Sequence, residues 1–210
     1  MLLTSLLPDL ILMVPGCPEP TAERALRDAA RQFCRDTYVI AELSDEIATV
    51  AGDPTIALSD LAESQREIVG VLEMYLDGRI IKQVSRDWLR NKSRKFSSGL
   101  TGTPSEAYSI GETQLRLSPT PDDAYTLQFL LATAPTATAT QIADDLGNRW
   151  KHALIGRAVS ILCAHPEREY TNLKLVDYGA RQYFAGVGKA RIEVNRSFGR
   201  DARVVVRGFL

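Results

Sequence analysis

The chain is poor in the residues that enzymes use most often. Its 210 residues include only two histidines and three cysteines, Cys17, Cys34 and Cys163. The cysteines are odd in number, far apart and without a CxxC pair, which argues against a disulfide framework and suits a reducing compartment. Because histidine is the usual general base and a common metal ligand, its scarcity leaves few ways to build a catalytic centre.

The remaining candidates for catalysis pair Cys34 or Cys163 with His152 or His165. A cysteine hydrolase needs a thiolate beside an imidazole that a third group orients. Cys34 instead lies beside the apolar stripe of a predicted helix, where an inert buried thiol is the ordinary outcome. His152 and Cys163 would lie about 16 Å apart on one helix, too far to share a metal ion. We therefore predict no catalytic, cofactor-binding or metal-binding residues, and no enzymatic activity.

Phosphate-binding loops and long apolar runs are also lacking. Gly186 and Gly188 lie inside a helical pattern rather than after a strand, so they match neither the dinucleotide-binding nor the Walker fingerprint. The apolar start, residues 1–14, has no basic residue before it and is interrupted by Pro8-Asp9, unlike a signal peptide. It is also too short to span a bilayer, and we expect a short amphipathic helix packed on the core.

Charge is nearly balanced overall but not along the chain. The net charge of −1 argues against a dedicated nucleic-acid binder. Residues 181–210, however, contain seven basic and two acidic side chains. An acidic partner, or DNA, is therefore expected to meet the C-terminal end.

Helical periodicity appears at both ends of the chain. Near the N-terminus, apolar residues recur at i, i+3, i+4, i+7 and i+8 between Ala22 and Phe33, opposite a charged face. Two more stripes follow residue 140: Trp150, Ala153, Leu154, Ala158, Ile161 and Leu162, then Leu173, Val176, Ala180, Tyr183, Phe184, Val187 and Val194. We expect the N- and C-terminal helices to pack together as one bundle.

The region between the helices has the pattern of a sheet. β-branched and aromatic runs flank the turn dipeptides Asp77-Gly78 and Gly111-Glu112, a pairing typical of hairpins. We predict five to seven short antiparallel strands. The fold class is α+β, with N-terminal helices at 1–36, an inserted β-rich module at 37–134, C-terminal helices at 135–199 and an extended tail at 200–210.

One internal segment, residues 86–95, is basic and carries Trp88. Basic side chains interleaved with an aromatic ring can hold a phosphate backbone and stack bases, here through Lys92, Arg94 and Lys95. The alternative is an exposed linker whose Trp88 packs into the β module. Both interpretations stay open at this stage.

Several segments together resemble the head-to-tail adaptor (connector) proteins of tailed bacteriophages. The resemblance rests on short motifs in the same order over most of the chain: Leu6–Leu10, Val14–Pro20, Ala25–Ala30, Phe33-Cys34, Trp88, Gly102–Pro104, Tyr108, Leu115–Asp122, Tyr125–Leu127, Arg149-Trp150 and Tyr170–Asn172. It implies a structural virion protein at the head–tail junction, present in the host cytoplasm during assembly. It also implies a ring of about a dozen copies that joins the portal protein to the tail protein and helps to retain packaged DNA. The alternative from another class is a DNA-binding accessory protein that uses the 86–95 segment and the C-terminal arginines.

The C-terminal tail is the candidate partner-binding site. Val204, Val205 and Val206 are strongly β-prone and lie between Arg203 and Arg207, with Phe209 as a possible anchor. Strand addition to the sheet edge of a neighbouring subunit or the portal would satisfy the backbone of such a tail. The other interpretation is an edge strand on the chain's own β module.

Overall fold

The computed structural model of the chain describes residues 1–61, 65–92, 100–111 and 113–197. Within these ranges the protein is mixed α+β, as predicted. The chain divides into two compact units, one of residues 41–133 and one of residues 1–40 together with the residues from 134 onward. The predicted tail, residues 200–210, lies outside the described residues.

Six α-helices and eight strands are described. The helices are α1 (Leu7–Met13), α2 (Glu19–Thr37), α3 (Arg86–Lys92), α4 (Asp144–Arg149), α5 (Lys151–Cys163) and α6 (Leu173–Ser197). The strands are β1 (Ala41–Leu43), β2 (Ile47–Ala48), β3 (Thr55–Ala57), β4 (Arg66–Leu76), β5 (Arg79–Gln83), β6 (Glu106–Ile110), β7 (Gln114–Ser118) and β8 (Thr126–Pro135). Short 3-10 turns precede α1 and follow β3.

Helix α2 forms where its apolar stripe predicts it. Pro20 sits in the first turn, where its missing N–H costs no hydrogen bond. The helix ends at Thr37, and the next residue, Tyr38, adopts a left-handed φ of 53° and donates its backbone N–H to the carbonyl of Cys34. The predicted stripe is confirmed: every member is buried, namely Ala22, Ala25, Leu26, Ala29, Ala30 and Phe33.

Helix α5 is the most enclosed helix described. It contacts α1, α2 and α6, and all of its residues from Ala153 to Cys163 are buried except Arg157 and Ile161, which are partly exposed. A helix that is apolar around most of its surface belongs in a core. The Phe33 ring of α2 lies 5.5 Å from the Trp150 ring, just before α5, and 6.1 Å from the Tyr183 ring of α6.

Glycines allow α5 and α6 to approach closely. A Cβ atom on Gly179 would lie 2.3 Å from the carbonyl oxygen of Gly156, and one on Gly186 would lie 2.4 Å from the Cβ of Ala153. Such distances are shorter than any van der Waals contact, so only hydrogen fits at these positions. The contact explains Gly186, which the sequence alone marks only as a weak helix former.

The predicted stripe of α6 is partly wrong. Tyr183, Val187 and Ala190 are buried, but Leu173 and Phe184 are 75% and 65% exposed. The close glycine contacts rotate α6 so that Gly179 and Gly186 face α5. Leu173 and Phe184 lie roughly 130–150° around the helix from that line and therefore face away from it.

The sheet follows the predicted hairpins but has more strands than expected. β4 and β5 pair across Asp77-Gly78, whose positive φ angles of 47° and 74° suit a tight turn. β6 and β7 pair antiparallel on either side of Gly111. The strand order is β1-β8-β4-β5-β6-β7-β3, and β2 also pairs with β8.

The prediction of a purely antiparallel module is wrong at one place. β5 and β6 are parallel, with Lys82 opposite Glu106 and Gln83 opposite Ala107. Parallel neighbours need a long crossover, and the chain between these strands includes α3. In α3 Leu89 is buried, whereas Trp88 is 43% exposed.

The β unit has its own apolar core. Its buried residues come from β4 to β8: Met74, Leu76, Ile81, Ala107, Leu115, Leu117, Leu127, Phe129 and Leu131. Ile47 of β2 and Ile56 of β3 pack against this core while partly buried. The short strands β2 and β3 therefore mark where the core approaches the surface.

Candidate interaction surfaces

The structure buries the thiols that the sequence offers as nucleophiles. Cys17, Cys34 and Cys163 are all buried, and none of the three forms a disulfide. Burial raises the pKa of the Cys17 and Cys163 thiols, which keeps them protonated and poorly nucleophilic. Within the described ranges, no group of three or more His, Cys, Asp or Glu side chains is placed to hold a metal ion.

A polar cluster ties the end of α2 to α5 and α6. The Tyr183 hydroxyl donates to Asp36 Oδ2 at 2.5 Å, and Arg191 Nε donates to the Asp36 carbonyl at 2.6 Å. The Arg157 guanidinium lies 5.4 Å from the centre of the Tyr183 ring and donates to Gln32 Oε1. Burial, reinforced by the hydrogen bond to Asp36, raises the pKa of Tyr183 well above its ordinary value. These contacts join helices that are distant in sequence, which is a structural role.

The helical unit carries a groove of about 310 Å³ between α1, α5 and α6. Its rim includes an ion pair between Lys151 and Asp9, and Leu12 beside it is 83% exposed. His152, one of the two histidines, lines this groove together with Tyr178 and Gln182. No described cysteine lines the groove, so the predicted cysteine–histidine alternatives are not brought together there.

The outer face of α6 presents apolar side chains to solvent. Leu173, Tyr178, Phe184 and Ile192 are each at least 40% exposed. They are interspersed with charged residues such as Arg181 and Lys189. Large apolar side chains on one side of a long helix are typical of a surface that contacts another molecule.

The β unit has a second groove, of about 240 Å³, between strands at opposite ends of the strand order. β2 borders it on one side and β3 on the other, and an isolated bridge between Val50 and Asp53 joins the two chain segments at one end. Its floor is apolar and reaches the core of the unit at Ile47, Ile56, Leu61, Leu117 and Leu127. A cavity of this size is below the usual range of small-molecule sites and suits a few side chains.

The backbone of β3 has one side available for pairing. Leu117 donates its N–H to Pro54, and Leu58 donates to Thr113, both at 2.8 Å. In an antiparallel pair, bonded positions alternate, so Ile56 also bonds towards β7 while Thr55 and Ala57 turn their backbone groups away. Among the described strands, none pairs with this outward side of β3. β3 is therefore an edge strand beside an apolar groove.

The segment around this groove is acidic. Residues 41–61 contain five carboxylates and no lysine, arginine or histidine. Asp45, Glu46 and Asp53 are exposed, and Asp53 accepts a hydrogen bond from the Thr55 backbone. The groove thus combines an apolar floor, a strand edge and a negative border.

Most of the sequence-predicted partner residues fall outside the described part of the chain. Arg203, Val204, Val205, Val206, Arg207 and Phe209 all do, as do Arg94 and Lys95 and the side chain of Lys92. The grooves and the edge of β3 were not predicted from the sequence. The acidic composition of residues 41–61 was a signal for part of this surface.

Grooves, a strand edge and an exposed helix face are features of a protein that works by binding other proteins. Comparison with known families agrees, because residues 3–205 match the SU10 adaptor protein family. The chain belongs to this family and is a structural virion protein of the bacteriophage head-to-tail adaptor type, as the resemblance implies. Adaptors of this type typically have no enzymatic activity, and membership of the family implies interaction with portal and tail components.

A search of curated proteins finds no match. Among the helices of the described residues, none is long and apolar enough to cross a membrane.

Proposed function

We propose that this chain is the repeating subunit of a closed ring, of about a dozen copies, that joins the portal to the tail and helps to retain packaged DNA. The observation that carries this proposal is the family match over residues 3–205. The N- and C-terminal helices would act as one rigid bundle in each subunit. Phe33, Trp150 and Tyr183 support that bundle through their ring contacts.

The exposed apolar face of α6 supports contact between neighbouring subunits. A ring interface is heterologous, so each copy presents one surface to the next copy and a different one to the previous copy. Leu173 and Phe184 would lose their water-exposed area on ring closure. Burial of a side chain of this size stabilises an interface by about 1.5–3 kcal/mol.

The C-terminal segment, residues 200–210, would attach each copy to its partner in the particle. We propose strand addition through Arg203–Arg207, with Phe209 as an anchor in a pocket of the partner. Main-chain hydrogen bonds would supply affinity, and the arginines would favour a partner surface that has acidic residues at its border.

DNA contact is a second candidate role for α3. Arg86 is exposed, Arg90 is 68% exposed, and Trp88 is 43% exposed on the same short helix. A phosphate-binding surface would show an affinity that falls steeply with salt. An affinity for DNA that does not change between low and physiological salt would refute this role.

Truncation tests the adaptor proposal. Removing residues 201–210 should leave the melting temperature of the monomer nearly unchanged but abolish its co-sedimentation with portal-containing heads. The full-length chain is the matched control. Unfolding of the truncated chain would place the segment in the chain's own core, and normal attachment of the truncated chain would refute its role.

A further inference from the structure

We propose that the groove between β2 and β3 is the acceptor for residues 203–207 of a second copy of this chain, which add as a strand alongside β3. This inference rests on the proposed function, because the ring gives each copy one neighbour whose groove it can fill. It assigns the acceptor surface, which the adaptor role itself leaves open.

The edge of β3 provides the backbone partners. Thr55 and Ala57 direct their backbone groups away from β7, and both residues line the groove. The Thr55 N–H already donates to Asp53 Oδ1, so an incoming strand would bond to the Ala57 N–H and to the carbonyls of the two residues. A strand placed beside them would extend the sheet, and its neighbours would be spaced at about 4.8 Å as in any sheet. Because β3 is only three residues long, an incoming segment of about five residues covers it fully.

The floor of the groove selects the side chains. Successive side chains of a strand point to opposite faces, so Val204 and Val206 share one face while Arg203, Val205 and Arg207 share the other. We place the two valines on the apolar floor, which includes Ile56 and Leu117.

Charge favours this occupant over a segment of random composition. Residues 198–210 contain three arginines and one aspartate, whereas residues 41–61 contain five carboxylates and no basic residue. With the two valines inward, Arg203 and Arg207 would lie on the outward face. The exposed Asp53 lines the groove, and the exposed Asp45 and Glu46 directly precede β2. Exposed ion pairs contribute modestly to affinity but accelerate association and set register.

The proposal predicts a specific pattern in a peptide-binding experiment. A fluorescent peptide of residues 198–210 is titrated against the full-length protein at low salt and read by anisotropy. We expect saturable binding that weakens as salt is raised. Val206→Ser in the peptide should weaken binding at least tenfold, whereas the matched control Val205→Ser should change it less than twofold.

A variant of the acceptor isolates the strand edge. Ala57→Pro removes the outward N–H without touching the hydrogen bonds between β3 and β7, and proline is tolerated on an edge strand. It should abolish peptide binding while the melting temperature stays close to that of the wild type. Ile80→Ser, at an exposed position outside the groove, is the matched control and should bind the peptide normally.

The outcomes separate this inference from the proposed function. Absence of peptide binding, equal effects of the two serine variants, or normal binding by a folded Ala57→Pro protein would each overturn the assignment of the groove. Because the titration contains no portal, these results leave the adaptor proposal standing if the full-length chain still attaches to heads. Failure of the full-length chain to attach to heads would refute the proposed function instead.

Discussion

The glycine contact between α5 and α6 makes the sharpest prediction about the helical unit. In Gly179→Ala the new methyl group would lie 2.3 Å from the Gly156 carbonyl oxygen and 3.0 Å from the Ser160 backbone nitrogen. Both neighbours are backbone atoms of α5, so they cannot move unless the whole helix shifts. Alanine is a better helix former by about 1 kcal/mol, which offsets only part of the cost.

The magnitude follows from these two effects. Overpacking costs about 1–3 kcal/mol and reaches more where backbone must move, so we expect a net loss of about 2 kcal/mol. For a chain of this size, that loss lowers the melting temperature by about 4–8 °C. Gly188→Ala is the matched control, because nothing lies within 4 Å of its added methyl group. There the helix propensity acts alone, and stability should rise by up to about 1 kcal/mol.

Thermal unfolding followed by circular dichroism, with a urea titration beside it, measures both variants. The two substitutions have identical chemistry in the same helix and are expected to change stability in opposite directions. Equal melting temperatures for Gly179→Ala and Gly188→Ala would refute the close packing of α5 on α6.

Three further predictions concern the helical unit and its assembly. Phe33→Ala should cost about 3–5 kcal/mol in unfolding free energy, because the side chain is fully buried between the Trp150 and Tyr183 rings, and melting within a degree of the wild type would contradict this. Tyr183→Phe should cost about 1–2 kcal/mol at neutral pH through loss of the bond to Asp36. Folding raises the pKa of Tyr183 from its ordinary value of about 10. That stabilisation is therefore fully present below pH 10 and is lost as the pH rises above it. In urea titrations at higher pH, the difference in unfolding free energy between the wild type and Tyr183→Phe should narrow. At physiological salt, where the tail contact is weakened, the isolated protein should sediment mainly as a monomer, and a stable closed ring at micromolar concentration without portal would contradict assembly on the portal.

The elements that the sequence predicts well are those whose signal is local. The stripe of α2 is apolar at every helical position from Ala22 to Phe33, so its buried face needs no knowledge of the partner helices. The hairpin at Asp77-Gly78 depends on a two-residue turn whose positive φ angles these residues accept readily.

The elements that were missed depend on contacts between distant segments. The face of α6 that contacts α5 is set by the close packing of Gly179 against Gly156. A prediction based on apolar side chains alone takes no account of glycine. Leu173 and Phe184 were therefore assigned to the wrong face. The parallel pairing of β5 with β6 follows from strand order, which short strands do not encode locally.

The candidate site was predictable only in part. The basic, β-prone segment at Arg203–Arg207 is evident from composition. Its proposed acceptor is built from β2 and β3, strands of two and three residues, which are too short to show a period of two. β2 and β3 lie at different positions in the sheet but line the same groove. The groove therefore arises from the three-dimensional fold and has no local pattern in the sequence.

Cryo-electron microscopy of the virion that contains this chain tests the central claim most directly. The account predicts a closed ring at the head–tail junction, between the portal and the tail, whose repeating density fits the helical unit built from α2, α5 and α6. Density for the chain at another place in the particle, or a junction with no copy of it, would contradict the adaptor assignment.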